Sequence, residues 1–489
     1  MPFRFFSFFL FLRSLFLLAA LFFCCSAYSQ LCNGSLGDPV VNITFGAGYN
    51  PGPPLAAAAT SYQYVADACP VNGFYTLLNK GVECNYGWHV LQSDHTGNSG
   101  GYCMLVDASF EPGDFYLDTV KNLCANTTYE FAAWMLNMKY VSQGIRPNIT
   151  FSIETAGGDV LQTYNSGDIP VEQTVVWKQY GFYFTTPENT AAIVLRMTNN
   201  APGGDGNDLA LDDITFRACG QLITAAVEGN TNSTIDVCEG NANIYTFTAT
   251  VAAGYLSPVY QWQLSADKGA TWNDIVNAAT FTYQRLATDA GNYWYRFTVA
   301  EATSAGIKTC RIASTPVIIN VHSIPLVDAG PDRYIITGNT VILNAKAEGE
   351  DLAYTWWPDN NINGITTLTP AVSPLQDIQY TLSATSKFGC SNKDNVLVKV
   401  VNGIYIPTAF SPNGDGKNDE WKIPFLDAGY EATVNVFNRY GQLVYHTAGE
   451  IISWDGRLHG VMQSCGTYIY SVTFKESKLI LKGTVTIIK

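Results

Sequence analysis

Gly97-Asn98-Ser99-Gly100-Gly101 has the Gly-x-Ser-x-Gly spacing of an activated serine, with Asp94 and His95 just before it. A nucleophile elbow needs a strand before the serine and a helix after it. Here a strand-like Tyr102-Cys103-Met104-Leu105-Val106 follows instead. A catalytic triad also draws its histidine and acid from separate elements, whereas His89 and His95 both lie close to Ser99 in the chain. Tight turns account for the glycines, so the segment reads as a loop. His-Glu-x-x-His motifs, phosphate loops and dinucleotide fingerprints are absent. Paired carboxylates for glycosidase work are a matter of spatial separation and are not legible in a linear sequence. No segment has the size of a catalytic barrel, so an enzyme is not expected. A hydrolase with its site in residues 30–220 is the alternative.

Oxygen-rich loops are the stronger signal. Gly203-Gly204-Asp205-Gly206-Asn207-Asp208 runs straight into Asp212-Asp213, and Asn413-Gly414-Asp415-Gly416-Lys417-Asn418-Asp419 forms a second such loop. Hard cations such as calcium take several oxygen ligands, and glycines let a loop close around the ion. The competing reading is that these carboxylates cap turns, which is favoured for the second loop because it lacks a distal glutamate. Glycan binding instead asks for aromatic rings beside polar groups. Trp88, His89, Tyr116, Trp134 and Tyr140 are the candidates. Period-2 alternation puts Trp134 on the same strand face as Glu130 and Ala132, while Trp177 reads as a cap on the core.

The elements that must position these groups are strands. Only 14% of the 489 residues are charged, while Tyr, Trp, Thr, Val, Asn and Gly are plentiful. Short apolar alternations such as Ile193-Val194-Leu195-Arg196-Met197 are separated by Gly, Asn, Asp and Pro. The expected fold is all-β, a chain of β-sandwiches. Arg4, the apolar run to Phe23 and Ala27-Tyr28-Ser29 fit a cleaved signal peptide over residues 1–29. Its removal takes the net charge from -14 to -16. An acidic chain repels nucleic acid and anionic membranes and suits cations and neutral sugars. No second long apolar stretch occurs, so no integral membrane segment is expected after cleavage.

Six of the ten remaining cysteines fall between Cys32 and Cys219. Even numbers in an exported chain favour disulfides. The expected pairs are Cys32 with Cys219, Cys69 with Cys84, and Cys103 with Cys124. Cys390 and Cys465 are expected to be free.

Four resemblances divide the chain. Residues 403–489 carry Tyr405-Ile406-Pro407-Thr408-Ala409-Phe410-Ser411-Pro412-Asn413-Gly414-Asp415-Gly416, Val434-Asn435-Val436-Phe437-Asn438-Arg439-Tyr440-Gly441, Trp454-Asp455-Gly456 and Gly466-Thr467-Tyr468-Ile469-Tyr470. This region resembles the gliding-motility-associated C-terminal domain, the type B sorting signal of the type IX secretion system of Bacteroidetes. The resemblance implies that residues 403–489 engage the type IX secretion machinery and that the protein is secreted or displayed on the outer cell surface. In residues 30–220, Trp177-Lys178-Gln179-Tyr180-Gly181-Phe182-Tyr183-Phe184 and Leu209-Ala210-Leu211-Asp212-Asp213-Ile214-Thr215-Phe216 resemble strands of galactose-binding-like and carbohydrate-binding jelly rolls. In those folds an aspartate of the closing strand helps hold a structural calcium beside the first strand. Carried over, that role falls on Asp212 or Asp213, with Asp38 as helper. Alternation places Asp212 and Asp213 on opposite faces, so one ligand of the two is expected.

Residues 221–322, through Tyr260-Gln261-Trp262-Gln263 and Asp289-Ala290-Gly291-Asn292-Tyr293, resemble bacterial immunoglobulin-like domains. Trp262 would be the core tryptophan, and Cys238 and Cys310, flanking the sandwich, would pair. Residues 323–402, through Asp328-Ala329-Gly330-Pro331-Asp332 and Tyr354-Thr355-Trp356, resemble PKD-type repeats. Short linkers predict a semi-rigid string of beads. The function expected is a secreted or surface binding protein, an adhesin or glycan binder. A surface scaffold without a small ligand is the nearest rival.

Overall fold

The computed structural model describes residues 31–84, 87–188, 192–285, 289–401, 403–424, 432–449, 453–474 and 480–488. The signal peptide expected over residues 1–29 lies outside them. The described residues are built from strands, and the one helical element among them is the short turn Lys308–Cys310. No helix among them is long and apolar enough to cross a membrane. Contacts divide the chain into two units. One reaches to Ser233 and includes 244–285 and 293–318, and the other comprises 234–243, 286–292 and 319 onward.

The first unit opens with eleven strands: β1 Ser35–Ile43, β2 Gln63–Tyr64, β3 Phe74–Leu78, β4 Cys103–Asp107, β5 Asp114–Lys121, β6 Thr128–Asn137, β7 Asn148–Thr155, β8 Val160–Asp168, β9 Lys178–Thr185, β10 Ala192–Asn199 and β11 Asp208–Gly220. They form two stacked sheets. One has the order β5-β10-β7-β8, and the other centres on β11. β11 lies beside β6 along one edge. Along the other it pairs β4 through Asp208–Leu211 and β1 through Ile214–Gly220. Alternation along β6 sends Phe131, Ala133 and Met135 inward. There Phe131 meets Phe151 of the second sheet edge-on at 5.3 Å. Burying such aromatics contributes roughly 2–3 kcal/mol each.

The same alternation aims Ala132, Trp134, Leu136, Ala210 and Asp212 at the outer face. That face is covered by the long 79–102 connection. Trp88 and Leu91 from the connection join Leu78, Cys103, Leu105, Leu136, Met138 and Ala210 in a second apolar cluster, with Trp177 packed against it. The connection is tied down by His89 N–H to the Met138 carbonyl (2.8 Å) and Tyr140 N–H to the Gly87 carbonyl (2.7 Å).

The immunoglobulin-like segment supplies β12 Ile223–Val227, β13 Thr234–Cys238, which belongs to the second unit, β14 Tyr245–Val251, β15 Pro258–Ser265, β16 Asn273–Asp274, β17 Thr282–Arg285, β18 Gly291–Glu301 and β19 Ile312–Ala313. Trp262 is fully buried as its core tryptophan, 5.0 Å from Phe297 and 5.8 Å from Phe247. Only Gln221 and Leu222 separate β11 from β12. Within the first unit this segment is not a separate bead. Gly37 of β1 bridges Ile312 of β19, so the two sandwiches share a sheet. A side chain at Gly37 would collide with the Arg311 carbonyl, and one at Gly220 would overlap Ile312. Both glycines are there for close approach. Asp38 is gripped by Arg296 through two bonds of 2.6 and 2.7 Å.

Disulfides join Cys32 to Cys219 and Cys69 to Cys84 as expected, with Cα separations of 5.9 and 5.1 Å. The others correct the sequence reading. Cys124 pairs with Cys310 at a Cα separation of 6.1 Å, and Cys238 with Cys390 at 5.4 Å. Cys103 is therefore free and buried, facing the cluster beneath the 79–102 connection. Cys390 is not free, whereas Cys465 is free and exposed. The misassigned pairs, Cys103–Cys124 and Cys238–Cys310, came from pairing cysteines within sequence segments, whereas the fold brings segments together.

In the second unit, residues 323–402 pack Trp356, Tyr380, Leu382 and Val398 between short sheets. The C-terminal region is a five-stranded sheet ordered Ala409–Phe410, Ile480–Ile487, Gly466–Phe474, Ala432–Phe437, Leu443–Gly449, packed on Trp421 and Trp454.

Candidate functional site: a polar cavity and a histidine–aspartate cluster on one sheet face

Two polar clusters lie on the outer face of β11, one at Asp208 and one at Asp212, about 13 Å apart along the strand. Antiparallel register sets Asp208 directly opposite Asp107 of β4. Their carboxyl groups are in hydrogen-bond contact, and both residues are buried, 3% and 6% exposed. Trp88 Nε1 donates to Asp208 Oδ2 at 2.9 Å. Burial first, and the neighbouring carboxylate second, raise the Asp208 pKa far above the carboxylate range. Burial raises Asp107 as well. Two touching carboxylates out of water cannot both ionise cheaply, so the pair holds a proton near neutrality. Lys139, itself buried, reaches the exposed Asp205 carboxylate. These groups open on a cavity of about 930 Å³ lined by Trp88, Asp107, Lys139, Tyr140, Gln173, Asp205 and Asp208 among others.

At the second cluster β11 bulges between Asp212 and Thr215, at the point where β4 has ended and β1 has not begun. Asp213 adopts a left-handed φ of 40°. The bulge cancels the alternation, so Asp212 and Asp213 both present their carboxylates to one histidine. His95 Nδ1 lies 3.2 Å from Asp212 Oδ2 and 3.3 Å from Asp213 Oδ2. The expectation of opposite faces is corrected by this one extra residue. His95 stacks on Trp134 at 4.7 Å and 18°, and Trp177 stands edge-on at 6.4 Å. Burial raises the pKa of Asp212 to about 6, against hydrogen bonds from His95 that lower it, and burial also raises Asp213.

The expected site residues thus divide. Trp88, Tyr140, Asp205 and Asp208 meet at the cavity. His89 is buried beside the Tyr140 ring, 5.6 Å away, where burial lowers its pKa. Tyr116 is buried on the other sheet and donates to Asp118 at 3.1 Å. Trp134 belongs to the His95 cluster. Asn207 is buried and its amide donates to the Ala201 and Pro202 carbonyls. Asp94 accepts from the Thr96 and Asn98 N–H groups, closing a turn on which Ser99 is exposed, and His95 faces the aspartates rather than the serine. The Asp415 carboxylate accepts the Lys417 N–H, the Asp419 carboxylate the Gly414 and Gly416 N–H groups, and the Asn413 amide oxygen the Asp415 N–H. The Ser411 N–H binds the Asn418 carbonyl, so this loop closes on itself as a turn.

The calcium implied by the jelly-roll resemblance does not fit these residues. Asp38 is held by Arg296, and an imidazole nitrogen stands among the donors at Asp212 and Asp213, where calcium takes oxygen. Asp107, Lys139 and Gln173 were not anticipated. Asp107 closes an apolar strand with a lone carboxylate, a weak signal, and its pairing with Asp208 depends on strand register.

Residues 404–487 match the family described as CHU_C Type IX secretion signal domain. The C-terminal domain is a type IX secretion signal. The protein is accordingly exported, to the cell surface or the medium, by sorting through the type IX machinery. Residues 227–323 match a domain of unknown function, DUF8696. No curated protein matches the chain. Similar solved structures include fibronectin(III)-like modules of Clostridium thermocellum CbhA, with 14% identity over 36% of this chain and 94% of that one and a TM-score of 0.19. The CBM22-1 xylan-binding domain from Paenibacillus barcinonensis Xyn10C is 12% identical over 38% of this chain and 97% of that one, with a TM-score of 0.21. The Sidekick-1 immunoglobulin domains 1–5 are 10% identical over 82% and 87%, with a TM-score of 0.24.

Proposed function

We propose that this exported protein binds glycans, and that the cavity beside Asp107 and Asp208 is where it does so. The observation that carries the reading is the convergence of Asp107, Asp208, Lys139 and Gln173 with Trp88 and Tyr140 on one cavity. Polyhydroxylated ligands are recognised by carboxylates, amides and ammonium groups that donate to and accept from hydroxyls, beside a ring that covers an apolar sugar face. Tyr140 is the half-exposed ring. Trp88 is buried and acts by orienting Asp208. Binding is favoured over glycoside hydrolysis because the two carboxyls touch. Hydrolysis places its pair about 5 Å or more apart, across the scissile bond.

The test is a glycan array with the mature full-length chain, since the first sandwich shares a sheet and a disulfide with the next segment. Tyr140→Ala and Lys139→Ala should each weaken the hits at least tenfold. An array without hits, or hits indifferent to both substitutions, overturns the reading.

A further inference from the structure

We propose that His95, Asp212 and Asp213 bind a first-row divalent transition ion, of the Mn²⁺, Co²⁺ or Zn²⁺ class, which fastens the 79–102 connection to β11. The three donor atoms lie within 4.8 Å of one another. The nitrogen stands 3.2 and 3.3 Å from the two carboxylate oxygens. Metal–ligand bonds of about 2.0–2.2 Å place neighbouring donors roughly 3.0–3.4 Å apart in octahedral or tetrahedral shells. An ion therefore enters with the side chains close to where they stand.

The donor chemistry selects the ion. One imidazole and two carboxylates suit borderline divalent metals, whereas calcium and magnesium prefer oxygen alone. Charge points the same way. Among the described residues no lysine or arginine forms a salt bridge with Asp212 or Asp213, and His95 is their one basic partner. A divalent ion with neutral imidazole balances both carboxylates.

The surroundings hold the donors in place. Trp134 stacks on the ring and Trp177 meets its edge. Asp212 is fixed by the backbone N–H groups of His95 at 3.0 Å and Asp213 at 2.8 Å. Ligand side chains oriented in this way are the pattern of a metal's outer shell. The side chain of Asp213 keeps 22% exposure, leaving a face open to water ligands. His95 comes from the connection and the aspartates from β11, so the ion would bridge two elements otherwise joined there by hydrogen bonds.

The experiment uses the full mature chain carrying Cys465→Ser, which removes the exposed thiol as a competing ligand. After treatment with chelator, Mn²⁺, Co²⁺, Zn²⁺ and Ca²⁺ are titrated by calorimetry and melting. One transition ion per chain is expected, with a Tm raised by several degrees and slowed hydrogen exchange across 79–102. Ca²⁺ should be at least tenfold weaker. Bound Cu²⁺ should show coupling to one imidazole nitrogen by electron paramagnetic resonance, and His95→Gln should abolish it. Asp213→Asn supplies the second variant, because asparagine tolerates the left-handed backbone there; it should weaken the ion at least tenfold without lowering the chelator-treated Tm. Absence of stoichiometric transition-ion binding, calcium binding of equal strength, or binding unchanged in both variants overturns the proposal.

Discussion

Asp208→Asn should make the first unit more stable in alkali than the natural chain, by an amount that grows with pH. The Asp208 carboxyl is pushed from 3.8 up to about 8 by burial and by Asp107. A folded pKa above the unfolded one means that the native state holds a proton the unfolded chain has released. The stability this represents is complete below about pH 4 and is lost as pH rises towards 8. Each pKa unit is worth about 1.4 kcal/mol, so the native state gives up on the order of 5 kcal/mol across that window. The amide that replaces the carboxyl can still accept from Trp88 Nε1 and can donate to Asp107, which is the bonding of the protonated pair without a titrating proton. At about 2–4 °C per kcal/mol for a domain of this size, the variant should melt on the order of 10 °C above the natural chain at pH 8–9 and level with it near pH 4. Calorimetric melts of both chains from pH 4 to 9 measure the difference, which cancels groups titrating elsewhere. Parallel profiles would refute the shared proton.

Asp38→Ala should cost about 2–3 kcal/mol, because it removes the carboxylate paired with the largely buried Arg296 guanidinium and leaves that charge only the Gln263 amide oxygen and the Trp272 ring. The loss should be the same with and without chelator, and a loss that disappears in chelator would return Asp38 to a metal site. Peptide mapping should recover Cys124 linked to Cys310 and Cys238 linked to Cys390. In the native protein Cys465 should alkylate readily and Cys103, 1% exposed with its thiol pKa raised by burial, only on unfolding; rapid modification of Cys103 would contradict the packing. Removing residues 404–487 should leave the remaining protein folded in the periplasm, and undiminished surface or medium levels would contradict the sorting role.

What could be read in the sequence was local. Alternation placed Phe131 inward and Trp134 outward, and the order of C-terminal motifs marked the secretion signal. What escaped depended on register or on one extra residue. Asp107 meets Asp208 only because β4 and β11 align as they do, which no single strand encodes. Strict period two separated Asp212 from Asp213, and the bulge reunited them. The disulfide errors have the same origin, since Cys124 and Cys310 are brought together by a sheet that runs from one sandwich into the next.

The disulfides also decide what a protease could release from this protein outside the cell. The spans Cys32–Cys219, Cys124–Cys310 and Cys238–Cys390 overlap in turn. Any single cleavage between residues 32 and 390 therefore falls inside a closed ring, and both fragments stay tethered. Beyond Cys390 that protection ends. The secretion signal, residues 404–487, lies outside every ring, so one cut in the stretch after Cys390 frees it while everything before the cut remains a single covalent body. The chain is laid out so that its address label can be detached and its cargo cannot be dismantled by the same kind of cut.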